Sequence, residues 1–273
     1  MIVFPNCKIN LGLHVLGKRT DGYHNLETIF YPLPFFDVLE VIQAKNNLLP
    51  YELFLSGNKI EGEHDSNLCV KAYHLLKKYF PQLPSVKIYL HKVIPSGAGL
   101  GGGSANGAFM LMLMNKKFNL NLSQQQLLQY ALSLGSDCPF FIINTPCFAQ
   151  QRGEDLQQVQ LNLSAYKIVL INPGIHVNTG WAFTQLQFIN TKNLKAEILK
   201  PVEEWKDVIS NDFELPVFKK YPEIKNIKDE LYTCGALYAS MSGSGSTVFG
   251  IFQKNAIIHF KNFSSQYFVK ELA

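Results

Sequence analysis

The stretch PSGAGLGGGSANGAFML, Pro95 to Leu111, holds five glycines in the seven residues 97–103 and then turns apolar. Side chains able to do chemistry are nearly absent from it. Glycine gives up more conformational freedom on folding than any other residue, so a chain this rich in it needs close backbone approach, unusual dihedrals, or both. Upstream, VKIYLHKVIP (86–95) has the pattern of a strand, and downstream Ser104 is the expected N-cap of a helix reaching about Phe118. Strand, glycine loop and helix in that order describe a phosphate-binding element.

Three designs compete for such a loop. The dinucleotide fingerprint G-x-G-x-x-G is present as Gly97, Gly99 and Gly102, but that design expects an acid roughly 20 residues further on to bind a ribose hydroxyl. No acidic residue occurs between Asp65 and Asp137, and several expected strands precede the loop, which is the wrong order for that fold. The Walker loop needs a lysine just before its Ser or Thr, and here Gly103 precedes Ser104. The third design needs no loop lysine, because successive amides and a helix N-terminus form a positive concavity. Gly99, Gly101, Gly102 and Gly103 permit close approach, and Ser104 offers a hydroxyl to phosphate or metal. A flexible linker is the plain alternative, disfavoured by the apolar strand and helix on either side.

The rest of the chain bounds the answer. Its 273 residues are 47 % hydrophobic and 17 % charged, enough for a core in one large domain or two moderate ones. No apolar run is long enough to span a bilayer. The N-terminus MIVFPNCKINLGLHVLGKR lacks a basic region ahead of its apolar residues and a small-residue cleavage site, so it reads as mature cytoplasmic protein. Five scattered cysteines without a C-x-x-C pair suggest neither zinc nor disulfides, but buried thiols. The net charge of +4 does not indicate nucleic acid. The acid-free interval does hold Lys71, Lys77, Lys78, Lys87, Lys92, Lys116 and Lys117, a setting that favours a small polyanion, although lysines taken singly are ordinary solvated surface.

Along the chain, Ile9, Leu11, Leu13 and Val15 alternate with Lys8, Asn10, Gly12 and His14, which predicts a strand with one buried face and with Lys8 and Asn10 together on the other. VLEVI (38–42) and YELFL (51–55) are further strands, followed by the turn-rich SGNKIEGEHDSN (56–67). Asp65 or Ser66 is the expected cap of a helix whose inner side is Leu68, Ala72, Leu75, Leu76 and Tyr79, stopped by Pro81 and Pro84. Another helix starts at Ser123 with Gln126 completing a capping box; Leu127, Leu128, Ala131 and Leu134 face inward, Gly135 ends it, and Asp137 follows. Beyond about residue 155, the strands KIVLI (167–171), GALYASM (235–241) and STVFGIF (246–252) are separated by helical stretches and a polar, proline-punctuated middle. SGSG (242–245) forms a tight turn between the last two. Two α+β domains result.

Four segments carry a resemblance that spans nearly the whole chain. PSGAGLGGGSANGAFML is similar to the second motif of the GHMP kinase superfamily, MSGSGSTVFG (241–250) to its third motif, and GSDCPFF (135–141) to the segment bearing its catalytic aspartate. KINLGLHVLGKRTDGYHNLETIFYPL (8–33) is the specific one, and resembles the branch acting on a cytidine-diphosphate-linked methylerythritol. Gly107 departs from the pattern, since relatives usually carry Ala there; it is expected to loosen the loop helix by up to about 1 kcal/mol.

The resemblance implies a two-domain α+β GHMP kinase fold. Residues 1–155 would form a ribosomal protein S5 domain 2-like, ATP-binding domain, and residues 156–273 a ferredoxin-like domain. It implies ATP-dependent phosphorylation of a 2-hydroxyl in the non-mevalonate route to isoprenoid precursors. ATP would be bound by Pro95, Ser96, Gly97, Ala98, Gly99, Leu100, Gly101, Gly102, Gly103, Ser104 and Ala105, with Asn67 and Leu68 near adenine. By motif match Asp137 is the base and Lys8 its partner; without the match, a loop aspartate and a surface lysine are the ordinary readings. Asn10 would meet the methylerythritol, Tyr23 and Phe183 would sandwich cytosine with His24 on its edge and Thr179 nearby, and Gly243 and Gly245 would touch the diphosphate. No protein metal site is implied, so Mg²⁺ would arrive with ATP. The partner is a small molecule rather than nucleic acid or membrane, and a homodimer is left open.

Overall fold

The computed structural model describes residues 1–45, 49–60, 63–186 and 193–272. In chain order its strands are β1 (Ile2–Val3), β2 (Asn6–Lys18), β3 (His24–Phe36), β4 (Val38–Gln43), β5 (Tyr51–Gly57), β6 (Val86–Lys92), β7 (Cys147–Gln151), β8 (Asp155–Gln158), β9 (Tyr166–Asn172), β10 (Tyr238–Met241), β11 (Val248–Gln253) and β12 (Phe268–Leu272). The helices are α1 (Leu68–Tyr79), α2 (Gly102–Lys117), α3 (Gln124–Leu134), α4 (Cys138–Ile143), α5 (Thr179–Thr184), α6 (Leu194–Glu197), α7 (Trp205–Val208), α8 (Glu214–Lys220) and α9 (Pro222–Thr233). The turn-rich stretch after β5 and the polar middle of the second half are seen only in part, because 61–62 and 187–192 lie outside the described residues.

Two compact units divide the chain. One comprises residues 1–7, 34–96 and 101–145, the other residues 8–33, 97–100 and 146–273. This differs from the contiguous division at 155/156, since β2, most of β3 and residues 97–100 group with the C-terminal half.

In the first unit, a four-stranded sheet of order β1-β4-β6-β5 is antiparallel except for the parallel β5–β6 pair. Helix α2 packs against α1, α3 and α4. It is buried on nearly every side, through Ala105, Asn106, Ala108, Met110, Leu111, Leu113 and Met114 among others, as a central helix must be. Asn67, rather than Asp65 or Ser66, caps α1: a 3₁₀ turn at His64–Ser66 takes up the earlier residues, and Asn67 Oδ1 accepts from the Cys69 amide at 2.9 Å. Within α1 the inner face is Cys69, Val70, Ala72, Tyr73 and Leu76, whereas Tyr79 is exposed. The capping box of Ser123 and Gln126 forms as expected.

Gly107 has a positive role that its helix propensity hides. A Cβ there would lie 2.9 Å from Leu68 Cβ, so α1 begins against α2 at a distance only glycine allows. Overpacking of this kind costs about 1–3 kcal/mol, more than the roughly 1 kcal/mol gained in helix propensity. Gly107→Ala is therefore expected to lower stability in urea unfolding; an unchanged or raised midpoint would show that α1 shifts freely.

The second unit holds two sheets, β2-β3-β7-β8 and β10-β11-β9-β12, the latter wholly antiparallel. Strand β2 departs from the one-faced expectation: Asn6 to Val15 are all buried. Within this stretch Gly12 takes a left-handed backbone (φ +74°) that separates two sets of contacts. Before it, the amides of Lys8 and Asn10 bond Leu100 O (3.0 Å) and Ser242 Oγ (3.2 Å). After it, those of Leu13 and Val15 bond Ser210 O (3.0 Å) and Asp212 Oδ2 (2.8 Å). Leu13 and Val15 thereby join the core formed with Val169, Ile171, Phe213, Val217 and Leu231. An edge strand is covered by loops instead of being left open.

Candidate active site

The first unit supplies the start of α2. Gly101 is its N-cap, with φ +69°, and α2 begins at Gly102. Ser104 is thus the third helical residue rather than the cap, because a left-handed glycine turns the chain into the helix earlier than a serine cap would. The first bond of the ladder runs from Ala105 N–H to Gly101 O at 2.9 Å. The amides of Gly102, Gly103 and Ser104 therefore precede the ladder, at the positive end of a 16-residue helix. A Cβ on Gly103 would meet nothing within 4 Å, so the side-chain position there is open.

Asp137 stands directly before α4 and makes no capping hydrogen bond to it. Its neighbour Cys138 is buried, which pushes the thiol up to about 12, while the Ser104 hydroxyl hydrogen-bonds that sulfur. Ser104 and the Asp137 segment are thereby brought together. At this pKa Cys138 is an inert thiol rather than a nucleophile. All five cysteines are free, and four are buried. Asn67 and Leu68 open α1, where the Asn67 side chain is engaged as the cap.

The second unit supplies residues 97–100, β2 and the turn after β10. Ser242 joins all three: its hydroxyl donates to Gly99 O (2.8 Å) and accepts from Asn10 N–H (3.2 Å). The Thr247 amide bonds Ala98 O at 3.2 Å. Gly99 is glycine because Ser242 O would sit 2.0 Å from its Cβ, and its φ is +78°. At least one of the five loop glycines therefore exists for contact between chain segments. Gly243 and Gly245 also have positive φ; a Cβ on Gly243 would lie 3.5 Å from Asn10 Oδ1, and one on Gly245 would lie 2.7 Å from Met241 Sδ.

Lys8 is buried, not a surface lysine. Its ammonium donates to Asn10 Oδ1 at 2.5 Å and lies 4.7 Å from the centre of the Phe30 ring. Asn10 is fixed in turn by donating to Thr28 Oγ1 (2.9 Å), which donates to Gly12 O (2.6 Å). A buried cation held by a locked amide is a preorganised charge.

Toward the other end, the His24 and Phe183 rings stack at 4.5 Å and 11°, and Phe183 meets Phe213 edge-on at 4.9 Å. Burial and the nearby Lys18 hold the His24 imidazole below its usual pKa, so near neutral pH its ring both donates and accepts. Tyr23 is exposed and carries the Arg152 guanidinium 4.7 Å from its ring centre. One face of Phe183 is thus covered by His24, which differs from a sandwich of Tyr23 and Phe183 around a base. Thr179 Oγ1 lies 2.8 Å from Ser244 Oγ on the SGSG turn.

Sequence reasoning quoted Ser242 without giving it a role and missed Thr28 and Asn211. Asn211 Nδ2 donates to Met241 O (2.7 Å) and Gly243 O (2.8 Å), shaping the SGSG turn. None of these contacts leaves a local pattern. Among the described residues no group of three or more His, Cys, Asp or Glu could hold a metal ion, and no helix is long and apolar enough to cross a membrane.

The family described as GHMP kinases N terminal domain matches residues 67–145, and GHMP kinases C terminal matches residues 192–268. A 4-diphosphocytidyl-2-C-methyl-D-erythritol kinase of Bacteroides fragilis is 54 % identical over 92 % of both chains. The corresponding protein of Bacteroides thetaiotaomicron is 50 % identical over 93 % of this chain and 92 % of its own. A crystal structure of a 4-(cytidine 5'-diphospho)-2C-methyl-D-erythritol kinase superposes with a TM-score of 0.78 at 30 % identity, covering 92 % of this chain and 90 % of that one. Mevalonate kinase of Methanococcus jannaschii has a TM-score of 0.72 at 14 % identity over 99 % and 97 %, a likeness of fold alone. With two domain families matched in order and half its residues shared with such relatives, the chain belongs to the GHMP kinases, in the 4-diphosphocytidyl-2-C-methyl-D-erythritol kinase family.

Proposed function

We propose that the chain transfers the γ-phosphoryl group of ATP to the 2-hydroxyl of 4-diphosphocytidyl-2-C-methyl-D-erythritol, in the non-mevalonate route to isoprenoid precursors. The observation that carries this is the start of α2, where the amides of Gly102, Gly103 and Ser104 precede the helical ladder. Such a terminus binds phosphate through aligned N–H groups and the helix dipole. Residues 95–105 cradle the triphosphate, and Asn67 and Leu68 lie by the adenine.

Phosphoryl transfer asks for positioning and charge neutralisation more than covalent help. The alcohol oxygen forms a bond to the γ-phosphorus as the bond to the bridging oxygen of ADP breaks. Asp137 accepts the alcohol proton. A carboxylate is a weak base for an alcohol, so it needs a cation that stabilises the developing charge. Lys8 supplies it, already desolvated and aimed by Asn10. Mg²⁺ would come with ATP and supply neutralisation of phosphate charge; the Ser104 hydroxyl is the oxygen this chain would offer it, which suits a hard cation that keeps most of its ligands from phosphate and water.

His24, Phe183, Tyr23 and Thr179 recognise the cytidine end, and Gly243 and Gly245 its diphosphate. The same assignment puts the enzyme in the cytoplasm, with a small-molecule partner. A GHMP kinase for another alcohol is the competing reading. In a coupled ATP-consumption assay, turnover is expected with the cytidine-linked alcohol and not with mevalonate or homoserine. Comparable turnover with either control would overturn the substrate assignment.

A further inference from the structure

Beneath the first turn of α2, wholly inside the first unit, three polar side chains are buried together. Asp37 is fully buried, and Lys92 and Asn106 are 3 % exposed each. Asp37 Oδ1 accepts from the amides of Val93 (2.8 Å) and Ile94 (2.9 Å), and its Oδ2 accepts from Asn106 Nδ2 (2.9 Å) and pairs with the Lys92 ammonium. Lys92 also donates to Asn106 Oδ1 at 3.1 Å.

These contacts reach both ends of the glycine loop. Val93 and Ile94 follow the last residue of β6 and lie just ahead of Pro95, and Asp37 takes the place of a ladder partner for their amides. Asn106 is on α2, one turn beyond Gly102. A Cβ on Gly102 would sit 3.0 Å from Ile94 Cγ2 and 3.1 Å from Lys92 Nζ, so the first helical turn rests directly on the network. A buried ion pair adds little net stability compared with well-packed apolar side chains, but it demands one arrangement. Its two charges cancel, leaving the attraction for phosphate to the amides above.

We infer that Asp37, Lys92 and Asn106 are positioning residues for the nucleotide loop, fixing the end of β6 and the start of α2 so that the amides of residues 102–104 stand in register with a triphosphate. The side chains of all three are buried rather than offered to a substrate. The inference rests on the proposed ATP site. Misplacement of a binding group by about 1 Å is enough to cost a large factor in the function it serves. A network that served stability alone would, when broken, lower the fraction folded but leave the Michaelis constants of the folded enzyme unchanged.

The test compares the wild-type enzyme with Asp37→Asn, with Asn106→Ala and with the double variant Asp37→Asn/Lys92→Met. Thermal unfolding is measured beside KM for ATP and for the cytidine-linked alcohol. In Asp37→Asn an amide NH₂ faces the Lys92 ammonium, and KM for ATP is expected to rise about tenfold or more with KM for the alcohol within about twofold. Removing the ammonium in the double variant lets Asn106 accept from the new amide, and should return KM for ATP toward the wild-type value. Should Asp37→Asn fail to fold, Asn106→Ala, which leaves the ion pair in place, should raise KM for ATP selectively by about threefold or more. Folded single variants whose KM for ATP stays within about twofold, or rises together with that for the alcohol, overturn the inference. Absence of ATP turnover in the wild type would instead strike the functional proposal itself.

Discussion

Asp137→Ala is expected to lose phosphoryl transfer by about 10²- to 10⁴-fold, the usual contribution of a positioned proton acceptor, while an unreactive ATP analogue still binds. Asp137 precedes α4 without capping it, so the variant gives up no capping bond of the kind whose loss typically costs about 1 kcal/mol. The contact of Ser104 with Cys138 does not involve the Asp137 side chain, and the amides of residues 102–104 are main-chain groups that the substitution leaves in place. Binding and chemistry should therefore separate: KM for ATP near the wild-type value and kcat nearly gone. Near-normal turnover would remove Asp137 from the mechanism and reduce it to a loop residue.

Gly99→Ala should produce the largest loss of stability among single methyl additions in the loop. The left-handed backbone at φ +78° already costs an L-residue about 1–2 kcal/mol. The new Cβ would lie 2.0 Å from Ser242 O and 3.2 Å from Gly245 O, both backbone atoms that cannot swing aside. Relief requires moving the turn, which breaks the bonds from Ser242 Oγ to Gly99 O and from Thr247 N–H to Ala98 O. Strain and lost bonds together come to about 3 kcal/mol or more. Gly103→Ala is the control, since a Cβ there meets nothing within 4 Å and φ is not positive; its stability should be unchanged or up to about 1 kcal/mol higher. If both variants unfolded at the same urea concentration as wild type, the clamp between the loop and the SGSG turn would be wrong.

The contrast between these two glycines shows what the sequence could and could not convey. The position of the loop between a strand and a helix was legible, because a strand, a glycine cluster and an apolar helix are local patterns. VLEVI, YELFL and VKIYLHK became β4, β5 and β6, and the box of Ser123 and Gln126 capped α3. That Gly99 meets protein depends on Ser242, 143 positions away. Ser104 lost the cap because a left-handed Gly101 begins the helix first. Alternation in β2 promised one buried face, but Asn6 to Val15 are all buried and loops cover the free edge.

Burial of charge was the least legible feature. Lys8 and Lys92 carry no local mark that separates them from solvated lysines; Lys8 is held by Asn10, two residues along the same strand, and Lys92 by Asp37, 55 positions away. The interval without acids suggested a basic surface for a polyanion, yet Lys92 in it is neutralised by Asp37 and Lys87 pairs with Glu52. At least these two of its lysines are therefore engaged by carboxylates.

A crystal structure of Asp137→Ala with ATP and the cytidine-linked alcohol bound together would test the central claim most directly, since both reactants should persist. The account predicts the β- and γ-phosphate oxygens within hydrogen-bond reach of the amides of Gly102, Gly103 and Ser104. A triphosphate ordered on any other surface, with those amides still facing solvent, would contradict it.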